Sequence, residues 1–448
     1  MTKRLYPLVL ASLLAIAWSL PASAQQAPTF IRDAEIEAII GDYVAPLFSA
    51  AGLDPSAVHV YLIKDDTINA FVAGGQNVFL YTGLIMKTQR PLQLIGVVAH
   101  ETGHIAGGHL ARRQEALRNA TIEMMVACIL GIGAAAASGN AAGAGACSLG
   151  SSVGQRSLLQ YSRTQEASAD QAGLSFLDAT GQSARGMLEF LTILMSQEAL
   201  LLGQQDPYLR SHPLTQDRID AVRDHVERSR YSDVPDRPEF VEGFKRMQAK
   251  LLGYLNPTQV LRQYPESDKS LPARYARAIY YYLSGKLPQA LALMDGLIAE
   301  HPTDPYFQEL KGEMLFKNGR ARDSLPYYGA AVKFQPRSAL LRLELAQAQI
   351  EVDDPSLNKA ALTELEEVVR IEPKNPGAWR QLSIAYGRDG QLPMAALALA
   401  EAAIARGGKD GRREARAQAD RAMQGLKEGS PAWLRAQDIY NEADRKDS

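Results

Sequence analysis

The stretch GVVAHETGHIAGGH, residues 96–109, places three residues where they could do chemistry together. His100 and His104 are four apart, so on a helix they share a face and can turn imidazole nitrogens to one ion. Glu101 is offset by one residue, within reach of a water at that ion. HExxH on a helix is an arrangement that binds zinc and turns water against an amide bond. Zinc suits the site: it has no redox activity, takes nitrogen and oxygen ligands at about 2.0–2.2 Å, and lowers the pKa of bound water to about 7. Glu101 would take the water's proton and pass it to the leaving amine. The apolar LIGVVA just before turns this face inward, where unpaired polar groups are costly. The competing reading is a core helix with hydrogen-bonded histidines.

A catalytic zinc needs a third protein ligand and an open fourth position. His109 is set aside: the tenth residue after His100 is Leu110, and His109, five residues after His104, leaves the shared face. The better candidate lies in SRTQEASADQAG. Glu166 and Asp170 are four apart on an expected helix, and like charges at that spacing repel unless a cation is near. Glu166 as ligand and Asp170 as acceptor for a ligating histidine fit one another. An exposed acidic face balanced by Arg163 is the other reading.

These residues need elements to position them. Residues 30–54 read as an amphipathic helix, with Ile31, Ile36, Ile39, Ile40, Val44 and Leu47 at helical spacing. VHVYLI, INAFVA and NVFLYT read as short strands of a small antiparallel sheet, with a hairpin turn at Gly74–Asn77. Pro91 then opens the helix that carries the histidines. Residues 124–155 carry no charge and read as a buried helical hairpin or a mobile lid, with membrane contact the less favoured reading. Helical patterns resume at Arg163–Leu177 and Ala184–Leu202, and Thr215 caps a further helix after YLRSHPLTQDRI.

Beyond a polar linker at 256–270 the chain repeats itself. Pro302 and Pro336 are 34 apart, and Pro373 follows 37 later, after an insertion around DDPSLN. Small residues recur at Ala290, Ser324 and Ala361, and Gly285, Gly319 and Gly390 mark turns. Trp379, Leu382, Tyr386 and Ala395 match the tetratricopeptide spacing. The expected organisation is a signal peptide over 1–24, a zinc-binding α+β domain over 25–255, and an all-α tetratricopeptide solenoid with capping helices over 271–448.

The signal peptide follows from Lys3 and Arg4, an apolar run from Leu8 to Leu20 and the small residues Ala22–Ala24. Its removal takes the formal charge from −2 to −4, which gives no pull toward nucleic acid. The two cysteines, Cys128 and Cys147, are read either as an exported disulfide or as two buried thiols.

HETGHIAGGH followed by EASAD resembles the gluzincin metallopeptidases of the HtpX-like family, and the added repeats resemble a periplasmic branch of it. The resemblance implies a zincin-like fold, one zinc per chain held by His100, His104 and Glu166, and Glu101 as catalytic acid/base. It places Asn69, Ala70 and Phe71 in a strand lining the substrate cleft. It puts His212, in SHPLT, near the metal, as an inhibitory ligand or an oxyanion partner, with Arg218 fixing that loop. It implies unfolded or stalled outer-membrane proteins as substrates and the β-barrel assembly machinery as a contact of the repeats. The alternative is an assembly chaperone or scaffold whose zinc is structural.

Overall fold

A computed structural model describes residues 29–73, 76–109, 163–200 and 207–444. The expected signal peptide, both cysteines and the segment 124–155 lie outside them. Strand β1 (Thr29–Ile31) leads into helix α1 (Ala34–Ala50), whose first turn is capped by Asp33 accepting the Ile36 N–H. The helix expected over 30–54 is therefore shorter: Ile31 pairs with Leu62 in a sheet instead.

Strands β2 (His59–Lys64), β3 (Ala70–Ala73) and β4 (Asn77–Tyr81) complete a sheet of order β1-β2-β4-β3. The β3–β4 hairpin is antiparallel, as expected, but β2 and β4 run parallel, so the sheet is mixed rather than antiparallel throughout. After β2 the chain turns at Asp65, whose side chain takes the Thr67 N–H, and runs first to the sheet's edge as β3. The hairpin then returns β4 to the vacant place beside β2. Leu62, Ala70, Val72, Val78 and Leu80 feed the main core, while Tyr61, Ile63, Phe71 and Phe79 make a second apolar layer on the opposite face.

Helix α2 (Thr82–Lys87) leads to α3 (Pro91–Ala106), with Pro91 in its first turn. Every residue of α3 from Pro91 to His104 is buried. It is gripped by α4 (Arg163–Ala179) and α5 (Arg185–Leu200), and glycines set the spacing. A β-carbon at Gly103 would stand 2.9 Å from Ala169 Cα, and one at Gly173 would stand 3.0 Å from Ala99 O. Only hydrogen at these points lets α3 and α4 approach closely enough for their side chains to meet. Helices α6 (Pro207–Ser211), α7 (Gln216–Arg228) and α8 (Pro238–Leu255) close the domain, and Thr215 caps α7 by accepting the Arg218 N–H.

Helix α9 (Pro257–Gln263) occupies the stretch read as linker. Four helix pairs follow: α10/α11 (Leu271–Leu283, Leu287–Glu300), α12/α13 (Pro305–Lys317, Ala321–Phe334), α14/α15 (Ala339–Glu351, Pro355–Ile371) and α16/α17 (Pro376–Arg388, Leu392–Arg406). Helices α18 (Gly408–Gly425) and α19 (Pro431–Asp444) end the array. Ala290, Ser324 and Ala361 are fully buried between helices. The pair-internal turns sit at Gly285, Gly319, Asp353 and Gly390, all with φ between 58° and 77°. Asp353 thus fills the glycine position of the third pair, a left-handed conformation that aspartate tolerates. The insertion falls within α15, which has 17 residues where α11 and α13 have 14.

The helix pairs pack on the preceding elements through buried charge. Glu35 at the start of α1 meets Arg246 at 2.6 Å and Lys250 at 3.3 Å from α8, and accepts the Tyr275 hydroxyl of α10 at 2.6 Å. Arg246 also holds Asp304 at the N-cap of α12, at 2.6 Å. Arg32 is shared between Glu37 and Glu372, each at 2.7 Å. The Arg32 and Arg246 guanidiniums and the Lys250 ammonium lose hydration here, and facing carboxylates on both domains replace it.

Candidate metal centre

His100 and His104 project from one face of α3 toward α4, with their Nε2 atoms 3.1 Å apart. Glu166, from the first turn of α4, brings Oε2 to 3.4 Å from His100 Nε2 and Oε1 to 3.3 Å from His104 Nε2. The tight α3–α4 approach at Gly103 and Gly173 makes this meeting reachable. His212, just past α6, adds Nδ1 at 3.3 Å from His100 Nε2 and 3.2 Å from Glu166 Oε1. Its ring stacks on Tyr208, with centroids 4.6 Å apart.

These four side chains are buried, and each offers one donor atom within 4.8 Å of the others. Donors around one tetrahedral ion with bonds of about 2.0–2.1 Å stand about 3.3–3.4 Å apart, close to the separations seen here. The chemistry of the set agrees. His100 Nδ1 lies 2.7 Å from Asp170 Oδ1, and a carboxylate can only accept, so the ring proton sits on Nδ1 and the Nε2 lone pair faces inward. Lone pairs converging in a buried site are satisfied by a shared cation, a metal ion or else a proton on one ring.

The sequence-derived candidates fall into place around this core. Glu101 is fully buried, and neither of its carboxylate oxygens accepts a hydrogen bond; Oε1 lies 3.4 Å from His212 Nε2. Burial pushes its carboxyl above the usual range, against the pull of His212 and His100. Arg218, from α7, donates to both Asp170 oxygens, stands 2.7 Å from Glu166 Oε2 and donates to Pro213 O beside His212. One guanidinium thereby ties Glu166 and Asp170 to the loop that carries His212.

The electrostatics follow from these contacts. Burial opposes a charged His100, but Asp170 and Glu166 outweigh it and push its pKa up to about 10. Burial brings His104 down to about 2. Glu166 resists the upward push of burial because the histidines around it, His212 foremost, hold it far below the carboxylate range. Asp170 is lowered in the same way by His100 and Arg218.

Ala70 and Phe71 open β3 and Asn69 lies just before it rather than in the strand; β3 is an edge of the sheet among the described residues and packs on α3. The Tyr81 N–H donates to Asn69 O, so by antiparallel alternation Asn69 and Phe71 face β4 while Ala70 and Val72 direct main-chain groups outward. His109, set aside as a ligand on its spacing, nevertheless touches the site. It is no member of the four-residue group, yet its Nδ1 lies 3.0 Å from His104 Nδ1. Gly108, at φ 62°, turns the chain back so that His109 returns beneath the helix. A glycine pair before a histidine was the only signal of it.

Two imidazoles of an HExxH helix and a buried carboxylate from a second helix make the centre of a zinc-dependent metalloendopeptidase, which acts on protein substrates. Comparison with known proteins agrees and narrows the class. Residues 31–226 match the family model of peptidase family M48. The chain is 26% identical over 349 residues to the beta-barrel assembly-enhancing protease of Yersinia pestis, covering 74% of this chain and 68% of that protein. It is 29% identical over 256 residues to the putative beta-barrel assembly-enhancing protease of Vibrio cholerae, covering 55% and 52%. Metalloprotease LoiP of Escherichia coli is 29% identical over 175 residues, covering 38% and 63%. Among the described residues no helix is long and apolar enough to cross a membrane.

Proposed function

We propose that this chain is a periplasmic endopeptidase that removes misassembled outer-membrane proteins and assists β-barrel assembly. One observation carries the enzymatic part: two imidazoles of α3 and a carboxylate of α4 converge, with a buried, unbonded Glu101 carboxylate beside them. In this reading His100, His104 and Glu166 hold the zinc and Glu101 is the acid/base. Bound there, zinc supplies Lewis acidity and makes water acidic enough to lose a proton near pH 7. Glu101 receives that proton on a carboxylate oxygen and returns it to the leaving amide nitrogen; a desolvated carboxyl of raised pKa suits both transfers. Asp170 holds the His100 ring, and Arg218 pairs with Glu166 and Asp170.

His212 sits where a fourth donor belongs, so we read the described state as latent, with His212 leaving before substrate enters. A substrate strand would then pair with the outward main-chain groups of Ala70 and Val72. The client class rests on the names of the relatives. The four helix pairs at near-constant period support a tetratricopeptide solenoid that docks clients or the assembly machinery.

Glu101→Gln tests the enzymatic reading. The variant binds one zinc as the parent does and cleaves unfolded protein about 10²–10⁴-fold more slowly. Undiminished cleavage by a zinc-loaded variant overturns the mechanism and favours a chaperone with a structural metal.

A further inference from the structure

His109 stands outside the mechanism above, yet it is only 6% exposed and its ring meets that of His104 edge-on, centroids 5.1 Å apart at 73°. The turn is built around it. Its N–H donates to His104 O at 3.2 Å, and a β-carbon at Gly107 would stand 2.6 Å from His109 Nε2. No side chain larger than hydrogen fits at position 107 with the ring in this place.

Proton counting fixes what the ring can do. His104 Nε2 faces the cluster, 3.1 Å from His100 Nε2 and 3.3 Å from Glu166 Oε1. An imidazole that ligates through Nε2 keeps its single ring proton on Nδ1. That atom faces His109 Nδ1 at 3.0 Å, and one proton serves the contact. His104 therefore donates, and His109 accepts through an unprotonated Nδ1. The proton of neutral His109 must then sit on Nε2.

We infer that His109 is a positioning residue: its Nδ1 lone pair fixes the tautomer and ring orientation with which His104 meets the zinc. The two histidines of the motif are then held unequally. His100 donates to a carboxylate, Asp170, whereas His104 donates to a neutral imidazole. A partner of this kind orients its ligand and is worth about 10–100-fold in metal affinity. The inference rests on His104 as a zinc ligand.

The test measures zinc affinity of the full-length protein by competition with a chromogenic chelator. His109→Leu removes the acceptor, and His109→Asn keeps one near the Nδ1 position; His104→Ala is the control. The expected result is a loss of about 10–100-fold for Leu and of under about 3-fold for Asn. Parent-like affinity in the Leu variant, or equal losses in both, overturns the role of the lone pair. If His104→Ala itself binds zinc like the parent, the ligand assignment fails instead. Should the Leu variant not fold, nitrogen-15 spectra of the zinc-loaded parent decide: an unprotonated His109 Nδ1 is expected, and a protonated one overturns the inference.

Discussion

Arg218 clasps Asp170 with two hydrogen bonds, Nε to Oδ2 at 2.6 Å and Nη2 to Oδ1 at 2.9 Å, in a region where both side chains are buried. The same guanidinium lies 2.7 Å from Glu166. Arg218→Ala takes one buried counter-charge from Asp170 and Glu166 and costs about 3–5 kcal/mol of stability. Arg218→Lys recovers only part of it, because an ammonium lacks the planar fork that bridges two oxygens. Chemical denaturation of the zinc-free protein measures both; a loss below about 1 kcal/mol in the alanine variant excludes this role.

Gly103→Ala tests the helix spacing. The added methyl would press on the Ala169 backbone, 2.9 Å from its Cα, and push α4 away from α3. Overpacking of this kind costs about 1–3 kcal/mol. Zinc affinity falls with it, because Glu166 recedes from the histidines. Calorimetry paired with zinc titration checks the coupling, and unchanged affinity in a destabilised variant separates the two effects.

His212→Ala raises proteolysis of an unfolded protein while zinc stoichiometry stays at one. The turnover rate is the readout. Lost activity points to His212 as a partner of the developing oxyanion, and unchanged activity removes it from the mechanism.

The domain junction predicts a pH effect. Burial, aided by Glu313 and opposed by Lys250, pushes the Glu309 carboxyl from 4.5 up to about 8. An unfolded chain releases this proton near pH 4.5, while the folded one keeps it until about pH 8. The group's contribution is therefore lost as pH rises through that window. Glu309→Gln, which cannot ionise, unfolds at a higher temperature than the parent at pH 8, and the gain vanishes toward pH 4.5. Lys250 keeps Asp33 at 2.8 Å in the variant. An equal gain at both pH values contradicts the assignment.

Main-chain pairing at β3 makes cleavage sensitive to the substrate's backbone. Peptides N-methylated at alternate positions lose the hydrogen bonds that Ala70 and Val72 would make, while side chains stay the same. KM rises about 10-fold or more for one methylation register and little for the other, as expected when a bond or two of about 0.5–1.5 kcal/mol is lost. Equal KM in both registers excludes strand addition.

The centre was legible where its logic is local. Four-residue spacing put His100 and His104 on one face, while the repelling pair Glu166–Asp170 left open whether a cation or an exposed acidic face accounts for it. Strand order was not legible: a parallel β2–β4 pair depends on β3 reaching the edge first, which no local pattern encodes. Both faces of the sheet are apolar, so alternation gave no orientation. His109 was set aside as a ligand on its spacing, but its contact with His104 was not legible, because the chain leaves the helix at Gly107. Asp353 hid the third turn of the array because a glycine was awaited there. The charged junction was invisible because Arg32 and Glu372 are 340 positions apart.

The sheet's outer strand β1 is three residues long and runs straight into Arg32, which the far repeats hold through Glu372. That border is short and pinned. Among the described strands, new backbone can be added only along the opposite border, beside the helix of the two histidines. If substrate adds to β3 as proposed, an incoming chain is admitted from a single side and only a segment able to lie extended qualifies; a folded protein would have to yield a loose stretch before being cut.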